Sequence, residues 1–211
     1  MPSLYVIRHG QTTHNAQGII QGPRIDSHLS DLGQQQARAV GSALTTVGLD
    51  AVYTSPLSRA RQTAQAIVDQ HPHQPALQVA AEAYELDYGD YSGRIYQEVR
   101  DDIAQILDAW QMGFPDQMFP GGESAVLAQV RLRPLADRLR QEALEHDVAL
   151  VAHGRINRVF LSMVTGAGLG GLERFPQANA NITELAVRAD GVELVRVNDQ
   201  GHLALASGSF S

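Results

Sequence analysis

Three stretches of this 211-residue sequence run from apolar residues straight into side chains that can do chemistry. Leu4-Tyr5-Val6-Ile7 leads into Arg8-His9-Gly10. Ala149-Leu150-Val151-Ala152 leads into His153-Gly154, and Ala51-Val52-Tyr53-Thr54 leads through Ser55-Pro56 to Arg59. Ligands of open α/β sheets bind beyond the carboxyl ends of the strands. If these runs are strands, two histidines and two arginines converge on one crevice. That set suits phosphoryl transfer. A guanidinium offers a planar, bidentate fork to phosphate oxygens, and a phosphoryl group in flight spreads negative charge over three oxygens. Neighbouring guanidinium groups also disfavour imidazolium, so a histidine beside them stays neutral and nucleophilic at pH 7. Gly10 and Gly154 allow close backbone approach, and a helix starting after Gly154 would aim its N–H groups at an anion.

The elements that must position these groups can be read along the chain. A strand is predicted over 3–8, a long polar loop over 9–29, and a helix from the Ser30 cap to about 47, stopped by Gly48. A short strand over 51–56 is followed by an amphipathic helix over 57–70 and a third strand over 76–80. Residues 81–94 read as irregular and 95–111 as helical. Ser124 caps a helix running to about 146, which Pro134 should bend or interrupt. The most apolar strand spans 147–153, with a helix over 155–165 and a glycine-rich stretch over 166–171. A hairpin over 181–198 should turn at Asp190-Gly191. Alternating strands and helices predict an α/β three-layer sandwich, a mostly parallel central sheet flanked by helices. No repeat or linker divides the chain, so one domain over 1–211 is expected.

Composition narrows the chemistry further. The formal charge of −7 argues against a nucleic-acid or anionic-membrane partner, while a local cationic pocket can still hold a small anion. No cysteine is present, so thiolate zinc sites and cysteine nucleophiles are excluded. All 16 basic residues are arginine, which removes Schiff-base lysines and the P-loop lysine. No H-E-x-x-H or similar ligand spacing points to a metal. With no apolar stretch of membrane-spanning length and no signal-peptide pattern, a cytoplasmic location is expected.

"RHGQTTHN", "TSPLSRARQTA", "ELDYGDYSG", "GGES" and "VAHG", in this order over residues 8–154, resemble the histidine phosphatase superfamily, also called phosphoglycerate mutase-like. "QGPRIDSHLSDLGQQQA" and "NANITEL" extend the resemblance over nearly the whole chain. The resemblance implies that His9 is the nucleophile and forms a phosphohistidine. It places Arg8, Arg59 and His153 around the phosphoryl oxygens, with Thr12, Asn15 and the Gly154 amide as lesser contacts. Substrate specificity would come from Gln21, Gly22, Arg24 and the 84–119 segment. Glu85 would protonate the leaving oxygen and then activate water; Glu82 and Asp87 are its neighbours and rivals. No metal or organic cofactor is implied, and residues 84–119 would cover the mouth of the site.

The superfamily holds both hydrolases and mutases. A phosphoglycerate mutase grips a substrate carboxylate with a lysine and paired arginines after the acid glutamate, and residues 86–122 offer only Arg94 and Arg100, apart. The expected activity is therefore hydrolysis of a small phosphorylated metabolite, releasing inorganic phosphate. A bisphosphoglycerate-dependent mutase and a non-catalytic phosphate-binding module stand as alternatives. The oligomeric state is open, a homodimer included. Glu123 reads equally as a pocket residue or as part of a helix cap. The aromatic run Tyr84, Tyr88, Tyr91, Tyr96, Trp110, Phe114 and Phe119 reads as packing before recognition. The remaining histidines, among them His28 and His71, are expected in solvent.

Overall fold

The computed structural model describes residues 2–207. Its centre is a six-stranded sheet of β1 (Ser3–Arg8), β2 (Leu49–Thr54), β3 (Ala76–Val79), β4 (Asp147–Ala152), β5 (Ile182–Arg188) and β6 (Gly191–Asp199). The strand order is β3-β2-β4-β1-β5-β6. The first four in that order run parallel, and β5 and β6 add an antiparallel edge.

Alternation along the central strands divides the interior into two cores, as the two-residue period of a strand requires. Leu4 and Val6 of β1 face the same side as Val148, Leu150 and Ala152 of β4. That side is covered by α4 (Tyr96–Gln111), α5 (Ala125–Glu142) and α6 (Gly154–Val164), through Ile103, Leu132 and Phe160 among others. Tyr5, Ile7, Ala149 and Val151 face the other side, where α2 (Asp31–Leu44) and α3 (Ser58–Gln70) bring Val40, Leu44 and Ile67. The predicted three-layer α/β architecture with a mostly parallel sheet is the one observed.

Several local expectations are corrected. The predicted 9–29 loop contains a single helical turn, α1 (Thr13–Ala16), closed by a capping box between Thr12 and Asn15. Pro134 does not interrupt α5, which continues through it to Glu142. Pro134 and Val130, whose carbonyl loses its helical donor, both lie on the exposed face, where water can take that bond. The closing hairpin turns at Ala189-Asp190, because Gly191 already pairs with Arg188. The glycine-rich stretch becomes a 3-10 helix (Leu169–Arg174), and α7 (Gly201–Ser207) follows β6 and packs on α2.

Candidate active site

The parallel register of β1 and β4 pairs Arg8 with Ala152, so the residues following them, His9 and His153, emerge side by side. The His9 amide donates to the Ala152 carbonyl at 3.0 Å, continuing the ladder one step past the strand end. The two rings lie 5.1 Å apart, tilted by 62°. Both are almost wholly buried.

Hydrogen bonds assign each imidazole a proton. His9 Nδ1 lies 2.7 Å from the Gly10 carbonyl, which can only accept, so Nδ1 carries the hydrogen and Nε2 keeps its lone pair. His153 has the opposite arrangement. Arg59 Nε donates to His153 Nδ1 at 3.2 Å, so His153 Nε2 carries the hydrogen and donates to Ser55 Oγ at 2.7 Å. Burial first, then the Arg59 charge, holds both rings well below the ordinary histidine range. For His9 the next contribution is Arg8. Both are neutral at pH 7.

Two guanidinium groups stand beside them. Arg59, at the start of α3, is buried and fixed by three of its five N–H donors, to His153 Nδ1, the Ile25 carbonyl at 3.0 Å and the Gly22 carbonyl at 2.9 Å. Among the described residues, its two remaining donors have no hydrogen-bond partner. Gly22 presents that carbonyl from a positive φ of 58°. Arg8 is held through Nη1 by the Gln177 carbonyl at 2.6 Å, and its buried Nε has no hydrogen-bond partner among the described residues. Gly154 permits this placement, since a Cβ there would lie 3.3 Å from Arg8 Nε. Gly10 allows a close backbone approach as well. A Cβ at Gly10 would collide with the Gly33 carbonyl, so its missing side chain serves contact with the first turn of α2.

Glu85 approaches from the segment before α4. Its Oε1 accepts from the Leu86 amide at 2.8 Å and the Ile156 amide at 2.9 Å, and its Oε2 from the Arg155 amide at 3.2 Å. The backbone N–H groups at the start of α6 are thus directed at the Glu85 carboxyl group. The loop carrying Glu85 is clamped from outside. Arg131 of α5 makes a bidentate pair with Glu123 (2.7 and 3.0 Å) and stacks 3.6 Å over the Tyr84 ring. It also donates to the carbonyls of Glu82 and Glu85. Glu123 Oε2 accepts from the Asp87 amide at 3.0 Å. Asp87 itself pairs with Arg24 at 2.9 Å.

Together these groups border a cleft of about 280 Å³. Of the residues singled out from sequence, Arg8, His9, Asn15, Gln21, Gly22, Arg59 and Glu85 line it. His153 and Gly154 lie behind that wall. Thr12 is wholly buried and does not line the cleft; its hydroxyl caps α1 and accepts from Gln21 at 3.0 Å. Glu123 faces Arg131 and lies outside the cleft wall. Most of the aromatic run is packing, with Tyr88, Tyr91 and Trp110 arranged edge-on around the buried Phe119. Tyr88 and Tyr96 also line the cleft. His71 is buried and bonded to the Val47 carbonyl at 2.7 Å, against the solvated reading.

Arg155, Ile19, Ile20 and Ile103 also line the cleft and were not singled out from sequence. For Arg155 a signal existed: it directly follows His153-Gly154 at the same strand end. Burial, and then the nearby Glu85 carboxylate, push the Tyr88 phenol up to about 12, so its hydroxyl is a neutral group facing Arg155. Among the described residues, no three His, Asp or Glu side chains cluster closely enough to hold a metal ion.

Comparison with known proteins identifies the family. A family model described as the histidine phosphatase superfamily (branch 1) matches residues 4–200. A putative phosphoserine phosphatase 2 of Hydrogenobacter thermophilus is 30% identical over 202 residues, 96% of this chain and 98% of that protein. Among solved structures, a phosphoserine phosphatase mutant of Entamoeba histolytica in complex with phosphoserine superposes with a TM-score of 0.81 at 26% identity, covering 96% of this chain and 100% of that one. A mycobacterial glucosyl-3-phosphoglycerate phosphatase gives 0.78 at 26% identity, covering 94% of this chain and 99% of that one.

Proposed function

The chain belongs to the histidine phosphatase superfamily, branch 1, and from that premise we propose that it hydrolyses small phosphomonoesters through a phosphohistidine formed at His9 Nε2. In the first half-reaction the Nε2 lone pair bonds to phosphorus, the bond from phosphorus to the leaving oxygen breaks, and Glu85 gives its proton to that oxygen. In the second, the Glu85 carboxylate takes a proton from water as the water oxygen bonds to phosphorus and the N–P bond breaks. Inorganic phosphate departs and His9 is neutral again.

Catalysis of this kind is mostly positioning and charge stabilisation. The uncommitted donors of Arg8 and Arg59 are placed to hold the non-bridging oxygens, and Asn15 and Gln21 add polar groups on the cleft wall. His153 is assigned a positioning role: it fixes Arg59 through Nδ1 and packs against the His9 ring. Residues 1–211 act as one unit in this reading, with 84–119 covering the site mouth and the protein working in the cytoplasm. No step is routed through a metal.

One observation carries the reading. The nitrogen of His9 that is not bonded to Gly10 is unprotonated, in a ring lining a cleft flanked by the guanidinium groups of Arg8 and Arg59. The test is rapid quenching with a 32P-labelled phosphomonoester. An acid-labile, base-stable phosphoenzyme is expected on the wild type and none on His9→Ala, whose turnover should fall by about 1,000-fold or more. Turnover should survive excess chelator. A 2-phosphoglycerate product formed from 3-phosphoglycerate faster than phosphate is released would replace hydrolase by mutase.

A further inference from the structure

Arg8 reaches the cleft on a single tether. Arg59 is fixed by three hydrogen bonds, whereas Arg8 is held by the Gln177 carbonyl on Nη1 at 2.6 Å. The aim of the Arg8 fork therefore depends on where that carbonyl stands. Gln177 lies in neither helix nor strand, between the 3-10 helix (Leu169–Arg174) and β5. A carbonyl in such a segment is only as well placed as the segment's own anchors.

Residues 177–180 wrap the end of β1. The Ala180 amide donates to the Arg8 and His9 carbonyls at 3.0 and 3.1 Å, and Asn179 Nδ2 donates to the His9 carbonyl at 3.1 Å. The Ala178 amide donates to Asn198 Oδ1 of β6 at 2.8 Å. Gln177 is anchored through its side chain. Its Oε1 accepts from Asn157 Nδ2 at 3.0 Å, and the same Nδ2 donates to the Ile7 carbonyl at 3.2 Å. That carbonyl can only accept, which assigns the Asn157 amide nitrogen and, through it, the Gln177 amide oxygen. Asn157 is wholly buried in α6. One side chain thus joins the residue before Arg8 to the residue whose carbonyl holds Arg8.

Stability does not account for this pair. Asn157 Oδ1 and Gln177 Nε2 are buried with no hydrogen-bond partner among the described residues. A half-satisfied amide pair is worse for stability than apolar groups of the same size. We propose that Asn157 and Gln177 are positioning residues for Arg8: their side-chain bond fixes the 177–180 strap, so that the Gln177 carbonyl holds the guanidinium aimed at the phosphoryl oxygens before substrate arrives. The inference rests on the phosphatase reading and extends it from the groups that touch phosphate to the pair that aims one of them. Donors fixed beforehand need no reorganisation as charge builds on those oxygens.

The experiment replaces both amides by apolar groups, in Asn157→Leu/Gln177→Leu. The urea midpoint should hold or rise, because both halves of the unsatisfied pair are gone. Inhibition of p-nitrophenyl phosphate hydrolysis by inorganic phosphate should nevertheless weaken by about 5-fold or more, and the rise in melting temperature with added phosphate should shrink. Each single substitution should show the same loss, since either breaks the one bond. 15N spectra of the arginine side chains supply a readout that packing alone would not move: the Arg8 Nε–H signal should shift and broaden in the double variant while that of Arg59 stays. If the double variant does not fold, Gln177→Met, which keeps the side-chain length, carries the same comparison. Unaltered phosphate inhibition, an unmoved Arg8 signal, or equal disturbance of Arg8 and Arg59 would overturn the assignment while hydrolysis stands. Absence of phosphate release by the wild type from every ester tried would overturn the phosphatase reading instead, and the melting shift with phosphate would still decide the role of the pair.

Discussion

The imidazoles of His9 and His153 lie 5.1 Å apart at the ends of adjacent parallel strands, and their hydrogen bonds place the ring proton on opposite nitrogens. His9 is an Nδ1–H tautomer held by a carbonyl, and His153 is an Nε2–H tautomer held between a guanidinium and a hydroxyl. Long-range 1H–15N correlation spectra of the imidazoles should show one ring of each kind, with neither titrating near pH 6.5. Two rings of the same tautomer would remove the basis for assigning His9 as the attacking group.

The same depressed histidines make stability depend on pH. In the unfolded chain each binds its proton near the ordinary value of about 6.5, whereas in the fold each stays neutral well below it. The unfolded state therefore binds more protons as the pH falls below 6.5, and stability present above that value is lost on acidification. Each ring contributes a slope of up to about 1.4 kcal/mol per pH unit. Urea midpoints between pH 7.5 and 5 should fall accordingly, and the slope should lessen by about one ring's share in His9→Asn. A wild-type stability that is flat from pH 6.5 to 5.5 would contradict this.

Gly154→Ala separates helix stability from anion binding. Alanine in the first turn of α6 is favoured over glycine by about 0.5–1 kcal/mol in helix propensity. Its methyl, however, would lie 3.3 Å from Arg8 Nε and displace that guanidinium. The melting temperature should hold or rise while inhibition by inorganic phosphate weakens by about 5-fold. Unaltered phosphate inhibition would show that Arg8 does not need its present place.

Arg131 does not itself line the cleft, yet it pins the loop that delivers Glu85. Its pair with Glu123 is nearly buried, with side chains 14% and 12% exposed. Arg131→Met leaves Glu123 uncompensated and should cost about 3 kcal/mol of stability. On the protein that remains folded, turnover of alkyl phosphates should fall more than turnover of p-nitrophenyl phosphate, whose leaving group needs no proton. Glu85→Gln should show the same bias more strongly, by about 100-fold or more for alkyl esters. Equal losses on both esters would dissociate the clamp, and Glu85 itself, from proton delivery.

The parts of this molecule that are legible in the sequence are those written in local pattern. Runs such as Leu4–Ile7 and Val148–Ala152 mark buried strands because both faces of the sheet are covered, and Asp190-Gly191 marks the hairpin to within one residue. His9, Arg59 and His153 could be placed together because a parallel sheet delivers all its strand ends to one edge. Long-range placement is where the reading fell short. Nothing local to Thr12 says that its hydroxyl takes a bond from Gln21 inside the fold. Nothing near Glu85 says that the backbone of residues 155 and 156 will receive its carboxylate. Arg155 follows His153-Gly154 directly, but that its side chain lines the cleft beside Tyr88 depends on packing that no local pattern records. Pro134 was misjudged because its cost depends on which face of α5 it occupies.

Glu85 is bonded to the first turn of α6, and the residue capping that same turn is His153, which packs against His9. Glu85 and the ring that backs His9 are thus tied to one helical turn, while His9 itself belongs to the sheet. A substitution that shifts the start of α6 should therefore disturb the Glu85 carboxyl and the His153 ring together, leaving the His9 backbone in place.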